Sequence, residues 1–203
     1  AVDRALQNLH EVVLPPAATS TREPVPLVPA HAPDFVRQVT AMMIAGRGNE
    51  LPVSAFPVDG TYPPATARWE KRNISDSVPV WKPELCIQCG NCVMVCPHAT
   101  IRARFYDDPW LANAPEGFAS APLAGRGFPN LRYTLQVAVE DCTGCELCVE
   151  ACPVRSPEAA GIRAINMEAK EPILARERRN FAFFDTLPDN KPAGLDAELV
   201  RGA

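Results

Sequence analysis

CIQCGNCVMVCP, at residues 86–97, and CTGCELCVEACP, at residues 142–153, are the two stretches that decide the fold of this chain. Both follow the pattern C-x2-C-x2-C-x3-C-P, and together they hold all eight cysteines of a 203-residue sequence. Disulfides that stabilise a small secreted protein are normally spread along the chain, where they close long loops. Because these cysteines are confined to two short windows, the sequence predicts metal ligands instead of cystines.

This spacing is the one that binds two [4Fe–4S] clusters in bacterial ferredoxins. The two-residue gaps allow a tight loop to present three thiolates to one cluster, and Gly90 and Gly144 help backbone amides approach the sulfur atoms. The fourth cysteine, which we expect in a short helix after the loop, ligates the cluster of the other motif. Cluster one is assigned to Cys86, Cys89, Cys92 and Cys152, and cluster two to Cys142, Cys145, Cys148 and Cys96.

Zinc is the alternative metal, since C-x2-C pairs often bind it. Zinc sites use two such pairs per ion, whereas here a third cysteine follows each pair and a proline follows each fourth, which favours iron–sulfur clusters. Four thiolates on each cluster leave no iron open to a substrate, so the pattern predicts electron relay and no catalytic residue. His98 lies beside the first motif, and we expect a surface or packing role for it rather than a hydrogen bond to sulfur.

The two motifs lie in an internal repeat, residues 84–103 and 140–167, and each copy reads as a strand, a cluster loop with a short helix, and a second strand. The leading strands are predicted at 78–81 and 135–139, and the trailing strands are predicted to begin at Ile101 and Ile162. Two such units would pack around a pseudo-twofold axis. The predicted fold class is α+β, a bacterial two-[4Fe–4S] ferredoxin-like domain preceded by a Pro-rich, partly helical connecting segment.

The residues before the repeat read as helices and a connector. Apolar residues at helical spacing predict a helix over residues 1–14, and the prolines of residues 15–33 predict a stiff extended connector. A second helix is predicted from Pro33, which a first helical turn tolerates, to Gly46, which is placed to end it.

Two further segments are read from their composition. Residues 104–134, between the motifs, are interpreted as a long loop that either covers the clusters or only fills space between domains. Residues 168–203 are predicted to contain little helix, and their arginines to form a solvated face rather than a guide for an acidic acceptor.

The net charge limits the class of partner, and the N-terminal sequence bears on the location of the protein. The formal charge is −4 and no long Lys/Arg run occurs, which argues against nucleic acid and anionic membrane surfaces. No apolar run approaches the roughly 20 residues needed to span a bilayer. The chain starts at Ala1 without the features of a signal peptide, so we expect a cytoplasmic location.

A resemblance to a known family rests on several stretches of sequence. LPVSAFP at 51–57, DGTYP at 59–63 and WEKRNI at 69–74 resemble the stretch that leads into the ferredoxin domain of pyruvate:ferredoxin (flavodoxin) oxidoreductases. CPHATIR at 96–102 looks like the end of the first cluster motif in that family, and FFDTLP at 183–188 like the connector that follows the second.

The resemblance implies a large, usually homodimeric enzyme that uses thiamine diphosphate and Mg²⁺ to decarboxylate pyruvate and form acetyl-CoA. Single electrons then pass through three [4Fe–4S] clusters to ferredoxin or flavodoxin, and two of those clusters would be the ones on the eight cysteines here. The third cluster and the thiamine diphosphate would belong to the remaining domains, because the chain has neither a spare cysteine nor a Gly-Asp-Gly stretch followed by Asn. Alone, this segment is expected to transfer electrons without decarboxylating pyruvate.

With this resemblance, the chain is expected to divide into four segments. They are a helix and Pro-rich linker at 1–34, a small connecting segment with the Glu-Lys-Arg sequence at 35–77, the two-[4Fe–4S] ferredoxin-like domain at 78–170, and a linker toward a thiamine-binding domain at 171–203. Two other functions stay open. One is a free-standing two-cluster ferredoxin, for which the long stretch before Cys86 is superfluous, and the other is the iron–sulfur subunit of another 2-oxoacid or hydrogen-linked oxidoreductase.

Overall fold

The chain forms two compact units, Ala1–Glu70 and Lys71–Ala203. The computed structural model describes residues 2–17, 20–21, 26–124 and 130–189. None of the helices within these ranges combines the length and the apolar character that crossing a membrane requires.

The first unit contains short helical elements. They are α1 (Val2–Gln7), a π-helical turn (Val36–Thr40) that continues into α2 (Ala41–Ile44), and 3-10 turns at Gly48–Glu50, Val53–Ala55 and Thr66–Trp69. The helix predicted between Pro33 and Gly46 is confirmed, and Gly46 ends it in the left-handed conformation, with φ of +73°. The ring of Tyr62 packs edge-on against Phe35 at 5.2 Å, and its hydroxyl lies 2.8 Å from that of Thr40.

The helix predicted over residues 1–14 is wrong in its extent, because α1 ends at Gln7. The side chain of Asn8 donates to the carbonyl oxygen of Arg4 at 2.6 Å, which satisfies a terminal carbonyl of the helix. Val13, part of the apolar stripe that predicts the longer helix, is 88% exposed and gains no stability from burial. A helix as short as α1 also has little stability of its own. Of the predicted Pro-rich connector, residues 18–19 and 22–25 lie outside the described ranges.

The second unit is built from antiparallel strands and short helices. In chain order the elements are β1 (Ser77–Trp81), α3 (Asn91–Val95), β2 (Ile101–Asp107), a 3-10 turn (Asp108–Asn113), β3 (Ala121–Pro122), β4 (Leu131–Val137), α4 (Leu147–Glu150), β5 (Ile165–Ala169) and α5 (Leu174–Thr186). This mixture of helix and strand agrees with the predicted α+β class.

The strands of the two motifs interleave. β1, which precedes the first motif, pairs with β5, which follows the second, so that Trp81 lies opposite Ile165. β2 pairs with β4, with Ile101 opposite Val137, and β3 adds to the other edge of β4. Both motifs therefore share one core, whose buried residues include Val78, Trp81, Ile101, Leu135, Val137, Ala164 and Ile165.

The predicted start of one trailing strand is wrong. β2 begins at Ile101 as predicted, but β5 begins at Ile165 instead of Ile162. The side chain of Asn166 accepts a hydrogen bond from the Arg163 N–H at 2.8 Å and donates to the Arg163 carbonyl at 2.7 Å. These bonds occupy backbone groups that a strand ladder would need, so the ladder starts after them.

The interpretation of residues 104–134 as a long loop is also wrong. β2 continues to Asp107 and β4 begins at Leu131, ahead of the predicted 135, so much of the segment is a β-hairpin with β3 beside it. Apolar and polar residue types alternate along Leu131–Val137, as in a strand, and Tyr106 in β2 is only 2% exposed. Residues 125–129 lie outside the described part of the chain.

The prediction of little helix in residues 168–203 is wrong, because α5 is a 13-residue helix at Leu174–Thr186. Phe184 is 1% exposed and forms a second small core with Tyr106 and Leu187. Arg178 forms an ion pair with Glu140 at 2.5 Å, so the arginine-rich face is tied to the domain. Residues 190–203, at the end of the predicted linker, lie outside the described ranges.

Candidate metal centres

Four of the cysteines surround one cavity in the second unit. Cys86, Cys89 and Cys92 of the first motif line it together with Cys152 of the second. The cavity has a volume of about 350 Å³, which includes its open mouth. The remaining wall is mostly apolar and includes Trp81, Ile87, Tyr133, Leu135, Val154 and Ile165.

The other four cysteines surround a second cavity, of about 320 Å³. Cys142, Cys145 and Cys148 line it together with Cys96 of the first motif. Its wall also includes Pro79, His98, Thr100, Ile101, Glu146 and Met167. Each cavity thus draws three thiols from one motif and the fourth thiol from the other, and all eight cysteines are free thiols.

The cluster loops depend on left-handed backbone at two equivalent positions. Gln88 and Gly144, two residues after the first cysteine of each motif, have φ of 56° and 69°. Gly90 and Glu146, directly before each short helix, have φ of 75° and 63°. The two glycines named from the sequence therefore occupy different positions, and each motif tolerates one non-glycine in this conformation.

The left-handed turns direct backbone amides at ligand sulfurs. The N–H of Gln88 donates to Cys86 Sγ at 3.3 Å, and the N–H of Gly144 donates to Cys142 Sγ at 3.4 Å. Hydrogen bonds of this kind stabilise negative charge on a sulfur ligand. Gly144 also has no room for a side chain, because a Cβ there would lie 2.4 Å from Ser75 Oγ.

The fourth cysteine of each motif lies just beyond the short helix, which corrects the expectation that it lies within it. Cys92 and Cys148 are the helical cysteines, in α3 and α4, whereas Cys96 and Cys152 follow those helices. A proline comes next in both motifs, and the residue before a proline is disfavoured in the helical conformation. Because the helix ends there, the fourth cysteine of each motif can line the cavity of the other motif.

The fourth cysteines are held by side chains from the second half of each repeat. Thr100 Oγ1 lies 3.2 Å from Cys96 Sγ. Arg163, only 8% exposed, donates to the carbonyl oxygens that end α4, at 2.7 Å to Val149, 2.9 Å to Glu150 and 3.0 Å to Cys152. Arg163 thus fixes the backbone around Cys152, the cysteine of the second motif that lines the first cavity.

The thiols differ in their surroundings when no metal is bound. Burial, with smaller contributions from Cys86 and Cys89, raises the pKa of Cys92 to about 12, and burial raises that of Cys148 to about 11. Burial also acts to raise the pKa of Cys96, but hydrogen bonds from the Thr100 hydroxyl and nearby backbone N–H groups outweigh it and lower that pKa. Metal binding has to displace the protons that burial retains.

The arrangement of the thiols fits a cluster better than a single ion. Within the described residues, no three His, Cys, Asp or Glu side chains converge as ligands of one metal ion. The thiolates of a cubane each bind a different iron atom and so surround a volume rather than a point. The two four-cysteine cavities have that form.

Several residues at the cavities escaped the sequence argument. Trp81 and Tyr133 line the first cavity, with their rings edge-on at a centroid distance of 5.8 Å. The side-chain amide of Gln88 donates a hydrogen bond to the Pro122 carbonyl and accepts one from the Ala124 N–H, both at 2.8 Å. These two bonds connect the hairpin to the first cluster loop. The alternation of apolar and polar residue types along β4, Leu131–Val137, is a sequence signal for Tyr133, whereas β1, Ser77–Trp81, has no such alternation to mark Trp81.

Two families match adjoining parts of the chain. Residues 21–75 match the EKR family, described as a domain of unknown function. Residues 85–156 match the 4Fe-4S dicluster domain family, and this range contains all eight cysteines.

Curated relatives align with nearly the whole chain. A pyruvate-flavodoxin oxidoreductase of Nostoc sp. is 43% identical over 99% of the chain, and one of Rhodospirillum rubrum is 48% identical over 93%. A pyruvate:ferredoxin oxidoreductase of Moorella thermoacetica is 38% identical over 100%. The chain spans 17%, 16% and 17% of the lengths of these three proteins, respectively. Over nearly its whole length the chain is thus similar to one segment of pyruvate-flavodoxin oxidoreductases, and this similarity spans its EKR and 4Fe-4S dicluster matches.

Proposed function

We propose that this chain holds two [4Fe–4S] clusters and relays single electrons through them within a larger pyruvate-oxidising enzyme. The observation that carries the proposal is the gathering of eight free thiols into two sets of four, each drawn from both motifs. The ligands are Cys86, Cys89, Cys92 and Cys152 for cluster one, and Cys142, Cys145, Cys148 and Cys96 for cluster two. The relatives do not favour a free-standing ferredoxin, since the matched segment lies in much longer proteins.

The chain's own residues supply what such a relay needs. A [4Fe–4S] cluster with four thiolate ligands accepts and releases one electron at a time and leaves no iron free for a substrate. The N–H groups of Gln88 and Gly144 stabilise negative charge on two ligand sulfurs. Trp81, Tyr133 and Leu135 form an apolar wall that keeps water from the first cavity.

The pseudo-twofold relation of the two motifs is part of the proposal. It is supported by the pairing of β1 with β5 and of β2 with β4, which joins outer strand to outer strand and inner strand to inner strand. The equivalent left-handed positions of the two cluster loops support it as well. The Pro-rich segment before the domain would then connect it to the rest of the enzyme.

The properties of the whole protein follow from the family. We propose that it converts pyruvate to acetyl-CoA with thiamine diphosphate, Mg²⁺ and a third [4Fe–4S] cluster held by its remaining domains. The acceptor would be flavodoxin or ferredoxin, as in the names of the relatives, and the enzyme would be a cytoplasmic homodimer. Neither nucleic acid nor a membrane has a role in this proposal.

The relay can be tested in the whole enzyme that contains this chain. Replacing Cys89 and Cys145 by serine removes one ligand from each proposed cluster. We expect pyruvate-dependent reduction of flavodoxin or ferredoxin to be lost, while pyruvate and CoA still bind. Steady-state acceptor reduction and isothermal binding measurements check both statements, and unchanged acceptor reduction in an enzyme that has lost these clusters would reject the relay.

A further inference from the structure

Trp81 places a buried indole N–H at the first cavity. Trp81 is 7% exposed, and its indole Nε1 is buried without a hydrogen-bond partner among the described residues. A buried N–H without an acceptor has lost its hydrogen bond to water and gained none in return, so native proteins rarely contain one. Trp81 also lines the cavity formed by Cys86, Cys89, Cys92 and Cys152.

We propose that the Trp81 indole N–H donates a hydrogen bond to a sulfur atom of cluster one and thereby raises the reduction potential of that cluster above the value it would otherwise have. The inference rests on the proposed function, because the acceptor is a sulfur of the bound cluster. It adds a positioning and tuning residue that the cysteine pattern does not identify.

The groups that line the cavity favour sulfur as the partner of the indole. The ring of Trp81 is held edge-on by Tyr133 at 5.8 Å, and its backbone pairs with Ile165 across the β1–β5 ladder. The other cavity-lining groups around it are largely aliphatic side chains and cysteine sulfurs. Sulfur of a reduced cluster carries negative charge and accepts hydrogen bonds, so it matches the missing acceptor.

Strand β1 reaches both cavities but brings a side-chain N–H to only one of them. Pro79 and Trp81 are two positions apart on β1 and therefore share one face of the strand. Pro79, paired with Met167, lines the second cavity, whereas Trp81, paired with Ile165, lines the first. Proline has no N–H to donate, so β1 supplies a side-chain donor to cluster one and none to cluster two.

The sign of the effect follows from charge. Reduction adds one negative charge to a cluster, and a donor directed at its sulfur stabilises the reduced form. Removing the donor should therefore make cluster one harder to reduce. A gap that admitted water beside the cluster would add hydrogen bonds to sulfur and shift the potential the other way, so the direction of the shift separates the two causes.

The test compares Trp81→Phe with Trp110→Phe in the cluster-loaded protein. Trp110 is 43% exposed and does not line either cavity, so the same substitution there is the control. Redox titration followed by electron paramagnetic resonance should show a more negative potential for cluster one in Trp81→Phe only, with cluster two unchanged. Cluster one is identified as the couple that disappears in Cys152→Ser.

A second measurement keeps the inference testable if Trp81→Phe fails to retain its clusters. Wild-type protein with ¹⁵N in its tryptophan indoles should show a nitrogen coupling to reduced cluster one in pulsed electron paramagnetic resonance. An unchanged potential in loaded Trp81→Phe, a shift at cluster two, or no ¹⁵N coupling in the wild type overturns the inference. Absence of iron and sulfide from the wild type would instead overturn the proposed function.

Discussion

At the scale of single residues, three thiols of each motif line one cavity, and the fourth thiol lines the cavity of the other motif. This exchange depends on the proline after the fourth cysteine, on Thr100 beside Cys96, and on Arg163 at the end of α4. Because these residues act on one cysteine each, single substitutions should affect one cluster at a time.

The exchange of ligands predicts a crossed effect of two matched substitutions. Cys96→Ser, in the first motif, should damage cluster two, and Cys152→Ser, in the second motif, should damage cluster one. Spectra of the loaded proteins, with each remaining cluster assigned through its redox couple, distinguish the two variants. If Cys96→Ser instead removes the cluster held by Cys86, Cys89 and Cys92, the assignment is wrong.

Arg163 should affect cluster one through Cys152. Arg163→Met removes the donors to three carbonyl oxygens and should cost about 3 kcal/mol of unfolding free energy, given roughly 1.5–3 kcal/mol for a bond from a charged donor. Arg102 aligns with Arg163 in the repeat but is exposed, with one 3.2 Å hydrogen bond to the Ala99 carbonyl and a cation–π contact of 5.6 Å to Phe181, so Arg102→Met should cost about 1 kcal/mol or less. Equal losses in denaturant unfolding of the two variants would contradict this role.

Gly144 should tolerate alanine less well than another left-handed glycine. In Gly161→Ala only the left-handed backbone is penalised, by about 1–2 kcal/mol, because nothing lies within 4 Å of the new Cβ. In Gly144→Ala the Cβ also meets Ser75 Oγ at 2.4 Å. The larger loss of unfolding free energy should shrink when Ser75→Ala is added, and a double variant without any recovery would show that the clash is not the cause.

At the scale of elements, the hairpin and α5 form a second small core beside the cluster domain. Arg104 joins them, since its guanidinium donates to the carbonyls of Phe184 and Leu187 at the end of α5 and lies 4.7 Å from the Phe184 ring centroid. Phe184 itself is almost fully buried. The helix is thus fixed by both its apolar face and its C-terminus.

This packing predicts the cost of removing the Phe184 ring. Phe184→Ala should lower the unfolding free energy by about 3–5 kcal/mol, the usual cost for a fully buried phenylalanine. Trp110→Ala removes a larger ring that is 43% exposed and should cost clearly less. Chemical denaturation of both variants in the loaded protein measures the difference, and a Phe184→Ala loss no greater than that of Trp110→Ala would refute the second core.

The two sets of four cysteines that the spacing predicts agree with the thiols that line each cavity, and their role as cluster ligands stays a prediction. The cysteine spacing says nothing of α5: the charges of Arg176, Arg178 and Arg179 favour a solvated face, although Leu174, Phe181 and Phe184 recur at helical spacing. Trp81 and Arg163 escaped for a different reason. Trp81 lines the first cavity because β1 pairs with β5, and Arg163 bonds carbonyl oxygens at the end of α4. Only the folded chain brings these residues into contact with their partners.

At the scale of the whole molecule, the interleaved strands make the two cavities interdependent. β1 contacts both cavities through Pro79 and Trp81, and each cavity takes cysteines from both motifs. Bound clusters should therefore act as crosslinks between distant parts of the second unit, because metal binding energy contributes directly to folding. With the proposed ligands, the relay and the stability of the domain would depend on the same eight sulfur atoms.

The most direct test of the two [4Fe–4S] clusters is the iron and acid-labile sulfide content of the protein purified without oxygen. The account predicts about eight iron atoms and about eight sulfides per chain, four of each for every cluster. Protein that carries one or two zinc ions and no sulfide, or that lacks any metal after anaerobic reconstitution with iron and sulfide, would contradict it.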